Sequence, residues 1–244
     1  MEDWGPETYG EKVADAYDEQ VAALGLDTEV AVEALAELAG GGPVLELAIG
    51  TGRLGLPLAA RGIEVHGIDA SDAMVAKLRE KPGGDAIPVT IGDFADVAVD
   101  GRYSLIFVGF NTFYALTTQA DQVRCFANAA EHLADRGVFA LEGFVPDLGR
   151  YDRDQRLQVN RISSGEVFID AARHDQVSQR IEASHIYISE AGTKLYPVQL
   201  RYAWPSELDL MARLAGLELK HRWSSWRKEP FGSGSPRHVS VYGR

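Results

Sequence analysis

The stretch VLELAIGTGR, residues 44–53, decides the fold. Its first half is a short apolar run, typical of a buried strand, and a helical pattern over 53–60 follows its glycine-rich second half. Such a turn lets backbone approach a ligand closely and directs free amides at a negative group. Any α/β protein can carry a tight turn between strand and helix, so this stretch alone leaves a purely structural role open.

The next strand, predicted over residues 64–68, is followed by Asp69, seventeen residues after Gly52. A carboxylate near this offset can accept hydrogen bonds from both ribose hydroxyls of an adenosine. The turn and the acid together favour an adenosine-containing cofactor. Ala48 stands where a dinucleotide fingerprint has its first glycine. On these residues alone, a nucleotide-dependent oxidoreductase remains an alternative.

Strands continue to alternate with helices as far as residue 144. This rhythm predicts an α/β fold with a Rossmann-like, doubly wound, mostly parallel sheet that helices cover on both faces. The further predicted elements of this part are helices over 71–80, with Ser71 as N-cap, and 119–133, and strands over 87–91, 103–110 and 137–144.

Two segments depart from this alternation. Residues 8–39 have a helical pattern broken at Gly25, which predicts a two-helix arm. Residues 157–202 alternate apolar with polar side chains, which predicts three or four antiparallel strands, one of them over 177–181. A helix over 204–215 and strands over 217–226 and 239–242 follow. The predicted domains are an N-terminal arm or lid, 1–43, a cofactor-binding core, 44–146 and 203–244, and an inserted substrate cap or dimer surface, 147–202.

Composition narrows the class of protein. The 244 residues are 45% hydrophobic and 25% charged, as in ordinary globular proteins, and the net charge is −12. Residues 1–40 hold eleven carboxylates and one lysine, the opposite of a nucleic-acid-binding surface. Cys125 is the single cysteine, and the six histidines are scattered, so no metal site is expected. No signal peptide or membrane-spanning run is recognisable, so we expect a cytoplasmic protein.

The ordered motifs resemble those of the class I S-adenosylmethionine (SAM)-dependent methyltransferases. Residues 46–52, ELAIGTG, resemble the first motif, E-x-G-x-G-x-G, and residues 65–69 and 92–94 resemble the second and third. Residues 133–137 resemble the L-x-P-G-G turn. The sequence departs from these patterns in having Ala48 for a glycine, Asp135-Arg136 for Pro-Gly, and Ser104 where many relatives carry an acid.

The resemblance implies a role for each matching residue in holding SAM. Backbone from Ala48 to Gly52 would lie beside the methionyl part, Asp69 would hold the ribose, and Asp93 would accept from the adenine amino group. Phe94 would cover the adenine ring. The implied cofactor-binding residues are Tyr17, Glu46, Ala48, Gly50, Gly52, Arg53, Asp69, Ala70, Met74, Gly92, Asp93, Phe94 and Phe110.

Residues that contact the methyl acceptor are expected on the arm, at the ends of the fourth and fifth strands, and in the insertion. For each, packing or capping is an alternative role. The candidates are Tyr9, Tyr17, Asn111, Glu142, His174, His185, Arg201 and Tyr202. Methyl transfer needs alignment above all, and a base only for a protonated or weakly nucleophilic acceptor, so no catalytic triad is required.

The layout of core, acidic arm and insertion resembles small-molecule methyltransferases of bacterial secondary metabolism, including those that methylate amino groups of deoxysugar nucleotides. The run YAWPSEL, residues 202–208, adds to this resemblance. We therefore predict methyl transfer from SAM to a nitrogen or oxygen of a small polar metabolite. Besides the oxidoreductase, a non-catalytic cofactor-binding module remains an alternative. The edges of the inserted strands offer a surface for a homodimer.

Overall fold

The computed structural model describes residues 4–244, so Glu2 and Asp3 of the predicted arm lie outside the described residues. Five parallel strands form the centre of a seven-stranded sheet, and two antiparallel strands complete one edge. The parallel strands are β1 (Val44–Leu47), β2 (Val65–Asp69), β3 (Val89–Ile91), β4 (Tyr103–Val108) and β5 (Leu133–Phe144), and the others are β10 (Glu218–Trp223) and β11 (Arg237–Gly243).

The strand order is β10-β11-β5-β4-β1-β2-β3. Alternation along β4 places Leu105 and Phe107 in one core and Ile106 and Val108 in another, on opposite faces of the sheet. The predicted Rossmann-like α/β fold is confirmed. The helices packed on the first core are α2 (Thr28–Ala39), α3 (Gly55–Ala60) and α4 (Asp72–Arg79), and those on the second are α5 (Gln119–His132) and α6 (Pro205–Leu214).

The two helices of the predicted arm have different surroundings. Helix α2 buries Val32 and Leu35 in the core of the main sheet. Helix α1 (Thr8–Ala23) instead packs Val13 and Ala14 against Met74 of α4 and Tyr196 of the insertion. Only α1 therefore occupies the position expected of a cover, while α2 forms part of the core layer.

Helix α1 is held on the start of α4 by close approach and by its acidic side chains. A Cβ on Gly10 would lie 2.5 Å from Cβ of Ser71, so glycine permits this contact. Ser71 Oγ donates to Glu11 Oε1 at 2.8 Å, and Asp15 pairs with Lys77 at 3.0 Å. Two carboxylates of the acidic arm, those of Glu11 and Asp15, therefore hold α1 on α4.

The insertion is a separate antiparallel sheet in the order β6-β7-β8-β9. The predicted strand over 177–181 is wrong for its first three residues, because they form the turn between β7 and β8. Asp175 accepts from the amide of Val177 and from Ser178 Oγ, which closes this turn. The strands are β6 (Gln155–Ile162), β7 (Glu166–Asp175), β8 (Arg180–Ser189) and β9 (Gly192–Arg201).

Other predicted boundaries shift where backbone turns left-handed. β1 ends at Leu47 because Ala48 has φ +57°, and β4 ends at Val108, two residues before Phe110, which has φ +56°. Helix α3 begins at Gly55, two residues later than predicted. The loop that leaves β1 is therefore longer than its sequence pattern indicates.

Ser71→Ala should lower the free energy of unfolding by about 2 kcal/mol, because it removes the α4 N-cap and the bond to Glu11. Thr118→Ala, which removes the N-cap of α5 and the local bond to Asp121 but no contact with α1, should cost about 1 kcal/mol. Urea denaturation measures both values. Hydrogen exchange should accelerate in α1 for the Ser71 variant only; equal exchange in both variants would contradict the α1–α4 connection.

Candidate active site

The site lies at the carboxyl ends of β1 and β4, where a small cavity opens. Its lining joins the glycine-rich turn, the end of β4 and helix α1. A larger groove of about 440 Å³ lies near the amino end of β2, but it contains no predicted site residue. Ligands of open α/β sheets bind beyond the carboxyl ends of the strands, so we assign the site to the smaller cavity. Its lining residues are Tyr17, Glu46, Ala48, Ile49, Arg53, Leu54, Gly109, Phe110 and Thr112.

The turn after β1 is built from left-handed backbone. Ala48, Gly50 and Gly52 have φ of +57°, +57° and +83°. Glycine adopts this conformation freely, whereas a residue with a Cβ loses roughly 1 kcal/mol. Ala48 therefore keeps the turn geometry that the methyltransferase motif has with glycine, at some cost in stability.

Asp69 fixes the turn to the end of β2. Its Oδ2 accepts from the amide of Gly50 at 2.7 Å, and its Oδ1 accepts from the amide of Ser71 at 2.9 Å. Burial raises the pKa of Asp69, and the two amides oppose this increase. Its carboxylate thus holds the turn after β1 and the start of α4 together.

Glu46 is the buried acid of the cavity. Among the described residues, its Oε2 finds no hydrogen-bond partner. A Cβ on Gly55 would lie 2.7 Å from this oxygen, so the start of α3 approaches it closely. Burial raises the pKa of Glu46 to about 8, although the Arg53 guanidinium acts against this shift. An unpartnered carboxyl is costly in a core and indicates a site for a cationic ligand group.

Helix α1 reaches the turn through Asp18. Its carboxylate accepts from Thr51 Oγ1 at 2.6 Å and pairs with Lys81 at 2.6 Å, while Lys81 also donates to the carbonyl of Thr51. Tyr17, the residue immediately before Asp18, lines the cavity together with Arg53. Burial raises the pKa of Tyr17, and Arg53 opposes that increase.

The remaining predicted cofactor residues lie around the end of β3 and the start of α4. The amide of Gly92 donates to the carbonyl of Asp69, and Asp93 Oδ1 accepts from the amide of Ala95. Phe94 is mostly buried in the core beneath α5, and Met74 packs against α1. Ala70 follows Asp69 and is half-buried.

Hydrogen bonds from Phe110 and Trp226 to Glu142 hold the end of β4 in place. Glu142 Oε2 accepts from the amide of Phe110 at 2.9 Å and from the indole Nε1 of Trp226 at 3.0 Å. Asn111 Oδ1 accepts from the amide of Phe144 at 2.9 Å. Glu142 and Asn111, predicted to contact an acceptor, therefore hold the strand ends and the left-handed Phe110 in place.

Four tyrosines extend from the cavity to the inserted sheet. Tyr9 and Tyr17 of α1 pack in one cluster with Tyr187 of β8 and Tyr196 of β9. The rings of Tyr187 and Tyr196 meet edge to face, with centroids 5.8 Å apart. Burial raises the pKa of Tyr9, and the nearby Tyr17 hydroxyl adds to the shift. We call these four residues the tyrosine cluster.

Three predicted acceptor residues lie at the junction of insertion and core. Arg201 is buried, donates to Gln122 at 2.6 Å and pairs with Glu207 at 2.7 Å. His174 and Tyr202 bond to each other at 2.9 Å and are almost fully buried. The guanidinium of Arg201 is thus occupied by partners within the chain, and its contact with an acceptor stays a prediction. His185 lies further out on β8 and pairs with Asp170.

Sequence reasoning missed Trp226, Tyr196 and Asp170. Trp226 lies in the loop between β10 and β11, whereas the strand predicted over 217–226 includes it. Its neighbour Arg227 pairs with Asp27 between α1 and α2. The alternation of side chains along the inserted strands could have placed Tyr196 and Asp170 on one face of the sheet. No local sequence signal marks Trp226.

Comparisons with known proteins agree with this geometry. Residues 44–137 match the family described as a methyltransferase domain. The structure of the CcbJ methyltransferase from Streptomyces caelestis is 39% identical, covers 98% of both chains and has a TM-score of 0.91. This chain belongs to the class I SAM-dependent methyltransferases. Its cofactor is SAM, and membership in this enzyme family replaces the oxidoreductase and binding-module alternatives.

Two further relatives also span nearly the whole methyltransferase. Cypemycin N-terminal methyltransferase from a Streptomyces species is 27% identical over 244 residues and covers 98% of both chains. The sugar N-methyltransferase KedS8 from Streptoalloteichus is 20% identical, covers 99% of this chain and 98% of its own, and has a TM-score of 0.68. At that identity, KedS8 shows a shared fold alone.

Residues 4–244 lack two other kinds of feature, a cluster of metal-ligating side chains and a membrane-spanning helix. Over this range, no three His, Cys, Asp or Glu side chains gather closely enough to hold a metal ion. None of the helices in this part of the chain has the length and apolar character needed to cross a membrane.

Glu46→Gln should change how stability depends on pH. The folded protein keeps the Glu46 proton up to about pH 8, whereas the unfolded chain releases it near pH 4.5, so unfolding becomes easier as pH rises between these values. The glutamine of the variant does not titrate, so its contribution to stability does not change with pH. Its free energy of unfolding relative to wild type should therefore increase by roughly 2–4 kcal/mol from pH 5 to pH 8.

Urea denaturation at several pH values without cofactor measures this difference. The value at pH 5, where both side chains are neutral in the folded state, serves as the internal control. A difference that stays constant from pH 5 to pH 8 would show that Glu46 is ionised in the folded protein.

Proposed function

We propose that this methyltransferase transfers the methyl group to an amino nitrogen of a small polar metabolite. The tyrosine cluster carries the proposal, because it lies between the cavity and the inserted sheet. Aromatic faces attract cations, whether the protonated acceptor or the more substituted ammonium that forms on transfer. A neutral amine is also nucleophilic enough to need no strong base.

The names of two relatives support nitrogen as the acceptor atom. Cypemycin N-terminal methyltransferase is named for a chain terminus, and KedS8 is named a sugar N-methyltransferase. Both cover the inserted strands of this chain as well as its core, because each match spans at least 98% of it. An amine on a natural-product intermediate, such as an amino sugar, is the acceptor class that these relatives favour.

We assign the binding of SAM to the glycine-rich turn, Asp69 and Glu46. Each Asp69 oxygen accepts one amide and retains a lone pair for a ribose hydroxyl. The unpartnered Glu46 Oε2 suits an ammonium group, and Arg53 beside it suits a carboxylate, so the pair fits an amino-acid end. When bound, SAM supplies an electrophilic methyl group on a positively charged sulfur.

The catalytic contribution of the chain is alignment and exclusion of water. Phe110 is fixed in its left-handed conformation by Glu142, and it lines the cavity together with Tyr17. Tyr9 and Tyr196 close the side toward the insertion. A rigid, dry passage of this kind holds an amine in line with the bond that breaks.

We propose that α1 acts as the cover of this passage. Asp18 ties it to the turn through Thr51, and Glu11 ties it to α4 through Ser71. These polar contacts join α1 to the loops that would surround SAM. The apolar contacts of Val13 with Met74 and Tyr196 complete the closure on the insertion side.

The acceptor atom can be tested with pairs of compounds that differ only in carrying an amine or a hydroxyl at the same position. The panel contains amino sugars, aminocyclitols and short peptides with a free amino terminus, each beside its hydroxyl analogue. We expect methylation of at least one amine and a rate at least about 100-fold lower for its hydroxyl analogue, since a hydroxyl needs a general base. Mass spectrometry and NMR with isotope-labelled methyl identify the methylated atom.

The amine panel has two contrary outcomes. Methylation of hydroxyl members without their amine partners would assign oxygen as the acceptor. Equal rates for both members of a pair would show that the tyrosine cluster does not discriminate between them. Asp69→Ala, which should abolish cofactor binding, serves as the negative control for every reaction.

We also propose that the outer face of the inserted sheet pairs with a second copy of the chain. Most positions of this face carry no charge, and several aliphatic side chains are largely exposed, including Leu157 at 73% and Leu195 at 61%. Beside them, Arg173 and Glu182 form a cross-strand ion pair, so a twofold axis would bring opposite charges together. In a chain of net charge −12, this neutral patch is a suitable contact between copies.

Leu195→Lys should convert a dimer into a monomer in sedimentation velocity, raising its dissociation constant roughly 100-fold or more through burial of an unpaired charge. Leu214→Lys on α6 is the matched control, because Leu214 is similarly exposed but lies away from this face. A wild-type protein that sediments as a monomer, or an unchanged dimer in the Leu195 variant, would rule out this interface.

A further inference from the structure

The inner face of the inserted sheet carries an unusual row of polar and aromatic side chains. Register places Asp170 of β7 opposite His185 of β8, and His185 opposite Tyr196 of β9. Residues directly opposite on antiparallel strands have Cβ atoms about 5 Å apart. Since Tyr196 belongs to the tyrosine cluster, His185 and Asp170 lie one and two strands away from it, on the same face.

This face looks toward the carboxyl edge of the main sheet. Arg150, in the segment that leaves β5, donates to Gln158 of β6 at 3.0 Å. Gln158 is opposite Asp170 in register, so its side chain belongs to the inner face. The inner face is thus connected to α1 at β9 and to the segment after β5 at β6, with His185 and Asp170 between these contacts.

A hydrogen-bonded chain crosses three strands and ends at His185. Gln158 Nε2 donates to Asn160 Oδ1 at 2.9 Å, Asn160 Nδ2 donates to Asp170 Oδ2, and His185 Nδ1 bonds to Asp170 Oδ1. Burial acts to raise the pKa of Asp170, but the bonds from His185 and Asn160 hold it below its usual value. The carboxylate is therefore fixed in orientation and determines which imidazole nitrogen carries the proton.

The open end of this chain is the imidazole Nε2 of His185. Across the described residues, this nitrogen makes no hydrogen bond, and the side chain is about one-third exposed, at 32%. Phe168 meets the imidazole edge to face at 5.8 Å and stacks on Tyr187 at 4.4 Å. A hydrogen-bonding nitrogen of fixed orientation thus lies beside a flat aromatic wall.

Resting on the proposed amine acceptor, we infer that His185, Asp170 and the Phe168–Tyr187 wall form a subsite for a hydroxyl-bearing ring carried by that acceptor. A hydroxyl would donate to His185 Nε2 while the apolar C–H face of the ring covers the aromatic wall. The acceptor would then extend from its amine at the tyrosine cluster to hydroxyls one to two strands away. His185 binds and orients, and it takes no part in proton transfer.

The subsite can be tested with a probe that has no amine and undergoes no methylation. Methyl α-D-glucopyranoside carries the hydroxylated ring, and 2-methoxytetrahydropyran is the same ring without hydroxyls. Each is added to ¹⁵N-histidine-labelled protein saturated with S-adenosylhomocysteine. His185→Gln identifies the His185 signals, and Asp170→Asn tests the positioning carboxylate.

We expect the glucoside to shift the His185 imidazole signals and the deoxygenated ring to leave them unchanged. His185→Gln and Asp170→Asn should each weaken glucoside binding roughly tenfold or more. Glu64→Gln is the matched control, because it breaks another histidine–carboxylate pair, His66–Glu64, at the amino end of β2 outside the inserted sheet, and should preserve affinity. Near-ultraviolet circular dichroism verifies that all three variants are folded.

Glucoside binding that survives both inner-face substitutions would overturn the subsite. So would the absence of any His185 shift with the glucoside, the matching galactoside and myo-inositol at tens of millimolar. Neither result bears on the acceptor atom, because these probes contain no amine. Conversely, oxygen methylation in the amine panel would leave the binding measurements intact.

Discussion

The contact between the Gly50 amide and the Asp69 carboxylate is the constraint on which the site depends. It joins the left-handed turn after β1 to the end of β2 at 2.7 Å, and Ser71 adds a second amide on the other oxygen. Three consecutive features follow from it: the turn is closed, the N-cap of α4 is placed, and Ser71 can receive α1. Without this bond, the loops at the carboxyl edge would lose their common anchor.

Buried charged side chains surround the contact between Gly50 and Asp69. Two acids, Glu46 and Asp69, are buried near each other with Arg53 as the nearby cation. Such an arrangement is unfavourable for an isolated fold, because desolvation of a carboxyl is compensated only by hydrogen bonds or by an opposite charge. A ligand with an ammonium group and vicinal hydroxyls would supply both, which agrees with the proposed SAM site.

The sequence predicted those parts of the site that are local. The turn at residues 48–52 and Asp69 at the end of β2 are predicted from their spacing alone. The alternation of apolar and polar side chains predicted the inserted strands. The contact of Trp226 with Glu142 was not predictable, because 84 residues separate the partners and neither belongs to a motif. The same holds for Asp18 and Thr51, since an exposed acid on a predicted helix gives no indication of its partner.

The inserted sheet shows how one strand period can serve two purposes. Because side chains alternate, β7 places Phe168 and Asp170 on the inner face, and Val167 and Ile169 on the outer face. A shift of one residue in register would exchange the two sets and destroy both surfaces. The proposed acceptor subsite and the proposed subunit contact would therefore be coupled through the register of this sheet. Packing of a second copy on the outer aliphatic face would hold in place the strands that orient the inner side chains.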